Sequence, residues 1–174
     1  MAKTRPTPKV VCDAGPLIHL DELESLDLLA DFDVVMVPDI VWREVAQHRA
    51  DALGRAAADL TRVEVSLPGE AGFQILIRAL SLDAGEQAAL ALMRQYPQAI
   101  LLTDDAAARL AAQQLGMRVH GTLGVLLRAV RRGQRTPEEV LALLHAIPRQ
   151  TTLYIRPDLL NAVIARVQQE FGPG

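Results

Sequence analysis

The sequence predicts an α/β fold: a parallel sheet with helices on both faces. Two observations carry this. Short apolar runs recur at 10–12 (VVC), 34–37 (VVMV) and 99–103 (AILLT), each bounded by Asp, Gly or Pro. Between them lie longer segments with Leu, Ala and Val at helical spacing, and strands alternating with helices imply crossover connections and a sheet covered on both sides.

The elements follow in order. Residues 1–8 hold two prolines and form a polar lead-in. Val10–Cys12 is a buried strand closed by Asp13-Ala-Gly-Pro, and 16–31 reads as one broken helix or two short ones. Val34–Val37 is a second strand stopped by Pro38, which opens a helix to about Ala50 that can continue through DALGRAAADL. Val63–Val65 is a weaker strand, Leu67-Pro-Gly-Glu a turn, and 71–80 a short helix. Asp83 caps a helix over 84–95 that Tyr96-Pro97 ends. Ala99–Thr103 is the strongest strand, followed by a helix over 105–115 with its stop at Gly116. Met117–His120 is the last strand, and Gly121-Thr122 starts a helix to about Arg132. Two amphipathic helices, 136–147 and 157–171, complete the chain. The expectation is a single domain over 1–174, with a core at 9–133 and a helical extension at 134–174.

Composition removes several function classes. Hydrophobic residues make up 50% and charged residues 22%, as in ordinary globular proteins, while aromatics are only 3%. So few rings argue against an RNA-recognition platform built on stacked aromatics. A net charge of −3 provides no global pull on nucleic acid, so phosphate contacts must come from a local patch. Cys12 is the single cysteine, in an apolar strand, which suits a reducing compartment. No apolar run approaches the ~20 residues of a membrane span, and a cytoplasmic protein is expected.

Acidic residues are the informative feature. Asp13 follows a strand and precedes a helix, where it can cap the helix or face a ligand at the sheet's carboxyl edge. Glu44 shares a stripe with Ile40, Val41, Val45 and His48, and a charge on that apolar face must be paired, bind a cation, or reach water at a rim. Glu86 forms an Asp-x-x-Glu capping box with Asp83, yet it also aligns with Ala89, Leu90 and Met93. Asp104 and Asp105 stand side by side after the best strand, where either they or Thr103 can cap the next helix. Arg109, one turn on, can pair with Asp105. Hard divalent cations take oxygen ligands of this kind.

Absences narrow the field further. The only lysines are Lys3 and Lys9, and neither a P-loop nor a GxGxxG fingerprint occurs. Receiver domains and haloacid-dehalogenase-type phosphatases need a lysine after a later strand, and here none is present. The four histidines (19, 48, 120, 145) lack zinc-ligand spacing and read as surface or core-edge residues, with His48 the most interesting because it follows Glu44 by one turn. No GxSxG elbow exists, and a strand-buried cysteine makes a poor nucleophile. Metal-dependent chemistry on carboxylates remains.

The ordered blocks DAGPLIHL, VPDIVWREV, LDAGEQAALAL and LLTDDAAARLAAQQLGMRVHGTLGVLL resemble PIN-domain proteins, over about residues 9–130, and most closely the subgroup with DDxxAR and GTLGVL blocks. The resemblance implies a three-layer α/β/α fold with strand order 3-2-1-4-5. It also implies an Mg²⁺- or Mn²⁺-dependent endoribonuclease, often the toxin of a type II toxin–antitoxin pair, that commonly forms a homodimer. By position Asp13, Glu44 and Glu86 match the first three acids, and Asp104–Asp105 the fourth, with Asp105 the better match to Thr-x-Asp. Asp13, Glu86, Asp104 and Asp105 are then the expected metal ligands, with Glu44 ligating or holding bound water. Thr103 and Thr122 are candidates to orient a carboxylate or the substrate. Arg109, Arg128, Arg131 and Arg132 are candidates to hold RNA, although the last three also suit a helix C-terminus. The alternative is a PIN-like module that binds RNA or protein without turnover.

Overall fold

The computed structural model describes residues 7–56 and 60–172. Strands β1 (Val10–Cys12), β2 (Val35–Pro38), β3 (Leu60–Val63), β4 (Ile100–Leu102) and β5 (Arg118–His120) form one parallel sheet in the order β3-β2-β1-β4-β5. This is the order expected from the resemblance. The chain crosses from the β2–β3 side of β1 to the β4–β5 side, so the cleft between the ends of β1 and β4 is the topological switch point.

Helices α1 (Ala14–Glu22), α2 (Asp39–His48), α3 (Ala52–Arg55), α4 (Ala71–Ala79), α5 (Ala84–Gln95), α6 (Ala106–Gln114), α7 (Thr122–Arg131), α8 (Pro137–Gln150) and α9 (Pro157–Phe171) complete the described residues, with a 3-10 turn at Leu26–Asp31. The pleat of β1 divides them into two layers. Val10 and Cys12 face a core filled from α1, α2, α7, α8 and α9, whereas Val11 faces one filled from α4, α5 and α6. Every residue of β1 and β4 is buried, as continuous apolar runs in a doubly covered sheet require. Val140, Leu144 and Ile147 of α8 and Leu160, Ile164 and Val167 of α9 join the first core, so the C-terminal helices pack on the sheet layer.

Three boundaries differ from the sequence expectation. The third strand is Leu60–Val63 instead of Val63–Val65, because its register is set by pairing Val35 with Leu60 through Pro38 with Val63. It is an edge strand with little burial, so its own pattern carried a weak signal. The helix expected to run through 51–60 is limited to α3, and residues 57–59 of that expectation lie outside the described residues. The helix expected to stop at 147 continues past Pro148 to Gln150, with Ile147 and Leu144 packed in the core.

Asp21 shows how the fold handles a buried acid with no functional load. Its carboxylate receives Arg49 Nε at 2.8 Å and Arg55 Nε at 3.0 Å, tying α1 to the far end of α2 and to α3. Burial alone raises its pKa, but the two guanidiniums more than offset this and hold it below the usual carboxylate value.

Candidate metal centre

At the carboxyl edge of the sheet the opposite treatment of acids is found. Asp13 is 7% exposed. Its backbone N–H donates to Leu102 O at 2.9 Å, which fixes the end of β1 against β4 at the switch point. Ala14 N–H donates to Oδ1 at 2.9 Å and the fully buried Thr103 hydroxyl donates to Oδ2 at 2.9 Å. Asp13 is therefore a helix cap, and its side chain is also held in a single pose by the strand beside it.

The LDAGEQ block builds the second wall. Asp83 accepts from Glu86 N at 2.9 Å, and Glu86 Oε2 accepts from Asp83 N at 2.8 Å, completing the capping box of α5. Gly85 between them lets α5 start directly against α2. A Cβ there would stand 3.3 Å from Val41 Cγ2 and 3.4 Å from both Glu44 Oε2 and Asp83 Oδ1. Glu44, half-buried on α2, is thereby brought beside Asp83, and the two share a cleft of about 380 Å³ with Arg43 and Gln47. Asp105, at the N-cap of α6, accepts from Ala108 N at 2.8 Å.

Electrostatics join these positions. Burial raises the pKa of Asp13 from an ordinary 3.8 to about 6; its two hydrogen bonds oppose this, and Asp83 and Glu44 add like-charge repulsion. Glu86 is pushed up to about 7, first by burial and then by Asp83, Asp105 and Asp13. Glu44 is also raised, by burial and by Asp83, with His48 on the same helix opposing the shift. Among the described residues, none of Asp13, Glu44, Asp83, Glu86 or Asp105 has a Lys, Arg or His within ion-pair distance. Folded proteins seldom keep buried, mutually repelling carboxylates without a compensating cation.

The donor set fits a hard divalent ion in type and charge, being all carboxylate oxygen. As the side chains stand, no three His, Cys, Asp or Glu groups among the described residues form a ready ligand set. Holding an ion would therefore require side-chain rotation, at half-buried Glu44 first, with Glu86 offering the oxygen that its capping box leaves free.

The adjacent aspartates part company. Asp104 Oδ1 accepts from Thr122 N at 2.7 Å, and its Oδ2 accepts from the Thr122 hydroxyl at 2.6 Å and lies 2.7 Å from His19 Nδ1. It thus caps the start of α7 and holds α1 through His19. It is not among the acids that press on Asp13, Glu44 or Glu86. Asp104, grouped in the sequence reading with the expected metal ligands, is thus the more heavily hydrogen-bonded of the two aspartates, with three contacts to Thr122 and His19.

Other sequence expectations also shift. Arg109 does not pair with Asp105; its Nη1 donates to Thr103 O at 3.3 Å. Arg128 and Arg132 both reach Asp31, at 2.6 and 3.1 Å, and Arg131 lies 3.7 Å from Glu170. These three guanidiniums, expected to hold RNA, are thus partly engaged within the fold. His48, expected to be the most interesting histidine, bonds only to the Glu44 carbonyl of its own helix at 2.9 Å. Two residues of the site went unrecognised in the sequence. Asp83 was explained completely by its capping box. His19 carried no distinct signal: it is drawn in by Asp104, and a Cβ at Gly15 would meet His19 Cε1 at 3.5 Å and Asp104 Oδ2 at 3.6 Å, both ordinary contacts.

These shifts set a pH dependence. Asp13, Glu44 and Glu86 all have raised pKa values in the folded state, so their stabilisation is complete at low pH and is lost as pH rises through about 6 and about 7. For buried Asp13 a shift of that size corresponds to about 3 kcal/mol. Metal-free protein is expected to melt at a lower temperature at pH 8 than at pH 5, with millimolar Mg²⁺ or Mn²⁺ flattening the difference. Calorimetry across pH with and without metal checks this, and a melting temperature that rises from pH 5 to 8 without metal contradicts it.

Comparison with known proteins agrees with the architecture. A family model described as DUF3368: PIN domain matches residues 9–169, and no curated protein matches the chain. No helix among the described residues is long and apolar enough to cross a membrane. With a five-stranded parallel sheet in the order 3-2-1-4-5, carboxylates without an ion-pair partner among the described residues at its carboxyl edge, and a family match over nearly its whole length, the chain belongs to the PIN-domain family, whose fold is of the nuclease type.

Proposed function

We propose that this protein is a metal-dependent endoribonuclease that hydrolyses phosphodiester bonds in RNA. The observation that carries the reading is the set of carboxylates around the carboxyl edge of the sheet, raised in pKa by burial and by one another and, among the described residues, without an ion-pair partner. Asp13, Glu86 and Asp105 would hold Mg²⁺ or Mn²⁺, with Glu44 and Asp83 as ligands or as acceptors for bound water. The bound ion supplies Lewis acidity toward the phosphate and a lowered pKa for the attacking water. Within the protein, Thr103 fixes the Asp13 carboxylate, and the capping box fixes one Glu86 oxygen toward the Asp83 backbone. Glu44, raised above its ordinary pKa, would accept the proton of an attacking water.

A cleavage assay on single-stranded RNA with Mn²⁺, with EDTA and with Asp13→Asn tests the proposal; cleavage that survives both controls overturns it. The family resemblance extends the reading to the toxin of a type II pair, acting in the cytoplasm as a homodimer with a cognate antitoxin. Growth arrest on induction, relieved by the product of an adjacent gene, tests that role.

The two aspartates can be told apart. Asp105→Asn is expected to lose the metal-induced rise in melting temperature with little change in metal-free stability. Asp104→Asn is expected to keep the metal response but lose roughly 1–3 kcal/mol, because it weakens bonds to Thr122 and His19. Thermal melts of both variants with and without Mn²⁺ decide the assignment, and the reverse pattern makes Asp104 the ligand.

A further inference from the structure

A second concavity, about 1070 Å³, runs beside β5 and α7 from His120 at the carboxyl end of the sheet to Lys9 and Ile100 at the opposite end. Its character differs from that of the acidic cleft. Lys9, Arg118, Arg128, Arg131 and Arg132 line it against one acid, Asp33, in a chain whose net charge is −3. Arg128, Arg131 and Arg132 are partly offset by Asp31 and Glu170 just outside the lining. Lys9 and Arg118 are exposed and, among the described residues, have no carboxylate partner.

Two further observations point to an anionic polymer as the occupant. His120 is disfavoured in its charged form, by partial desolvation of its ring although the residue as a whole is exposed, and by Arg109, Arg118, Arg128 and Arg131, of which all but Arg109 line the groove. Tyr96, 37% exposed, offers an aromatic surface at the end where Lys9 and Arg118 lie. Cations along a groove with a ring for a base to stack on are the elements of single-strand binding. The His120 end of the groove lies one strand from the acidic centre: the His120 carbonyl accepts from Thr103 N at 2.9 Å, and the Thr103 hydroxyl holds Asp13.

We propose that this groove is the track for single-stranded RNA extending beyond the bond that is cut, with Lys9 and Arg118 on phosphates and Tyr96 against a base. The choice of RNA rests on the nuclease reading of the acidic cleft, whereas the groove's affinity for a polyanion does not. The two are separated by measuring binding in EDTA, where no cleavage is needed. The probe is a fluorescein-labelled single-stranded RNA of about 20 nucleotides, longer than common single-strand sites, titrated at several salt concentrations.

The double variant Lys9→Gln/Arg118→Gln, at two exposed positions, is expected to bind about tenfold more weakly. Its salt slope should be shallower by about 1.4, from two lost phosphate contacts at ~0.7 each. Tyr96→Ala is expected to weaken binding severalfold with the slope unchanged. Unchanged affinity and slope in the double variant overturn the proposal, as does duplex RNA bound equally well through the same two residues. If the protein binds as expected but cuts no RNA with metal present, the groove assignment stands and the nuclease reading falls.

Discussion

Asp13→Asn is expected to lower metal-dependent cleavage steeply while stabilising the metal-free protein at pH 8. The two effects have one cause. The side chain is buried, and ionising it there works against burial and against the charges of Asp83 and Glu44. Removing that ionisation should return up to about 3 kcal/mol. The substitution keeps an oxygen to accept from Ala14 N–H and places an amide against the Thr103 hydroxyl, so the local packing survives. Function takes the larger loss. A bound metal contributes several kcal/mol of transition-state stabilisation, so cleavage should fall by roughly a hundredfold to a thousandfold. The wild-type melting temperature should rise by roughly 5–10 °C at a hundredfold excess of metal over its dissociation constant, and the variant should show no such rise. A variant that is destabilised, with wild type indifferent to metal, would make Asp13 a plain helix cap. Urea titrations and melts with and without Mn²⁺ read both quantities.

Gly121→Ala is expected to destabilise the fold by roughly 2–4 kcal/mol although it adds one methyl group. A Cβ at this position would stand 2.5 Å from Asp104 Oδ1 and 3.2 Å from both Arg109 Nη1 and Thr103 O. The backbone itself is extended and open to any residue, so the cost is spatial. Asp104 has a short side chain and cannot yield without releasing Thr122 and His19 together. That gives the DDxxAR and GTLGVL blocks a physical reading as one latch: the acid after β4 caps α7, the glycine makes room for it, and the arginine braces the turn through Thr103 O. Chemical denaturation measures the loss, and a change below about 0.5 kcal/mol would show the latch to be slack.

The sequence was most informative where one physical constraint dominated. Strands buried on both faces must be continuous apolar runs, so β1, β2 and β4 were recognisable within about a residue. Edge strand β3 was displaced in the reading because partner registry, which no local pattern encodes, decides its limits. Acids at the ends of β1 and β4, and on the inward faces of α2 and α5, stood out because an unpaired charge is costly there.

Local pattern could not say which acids share a field. Glu44 meets Asp83 only because Gly85 admits α5 against α2, a contact between segments about forty residues apart. Asp104 and Asp105 are chemically alike and adjacent, yet α7 and His19 claim one and α6 the other. The amino-acid order by itself determined a parallel α/β sheet, its topology through a family likeness, and the carboxylates worth watching. Tertiary structure alone decided which of them repel one another, which is spent as a latch, and where the cations line up beside β5. Charges interact through space, and the distances that govern them exist only once the chain has folded.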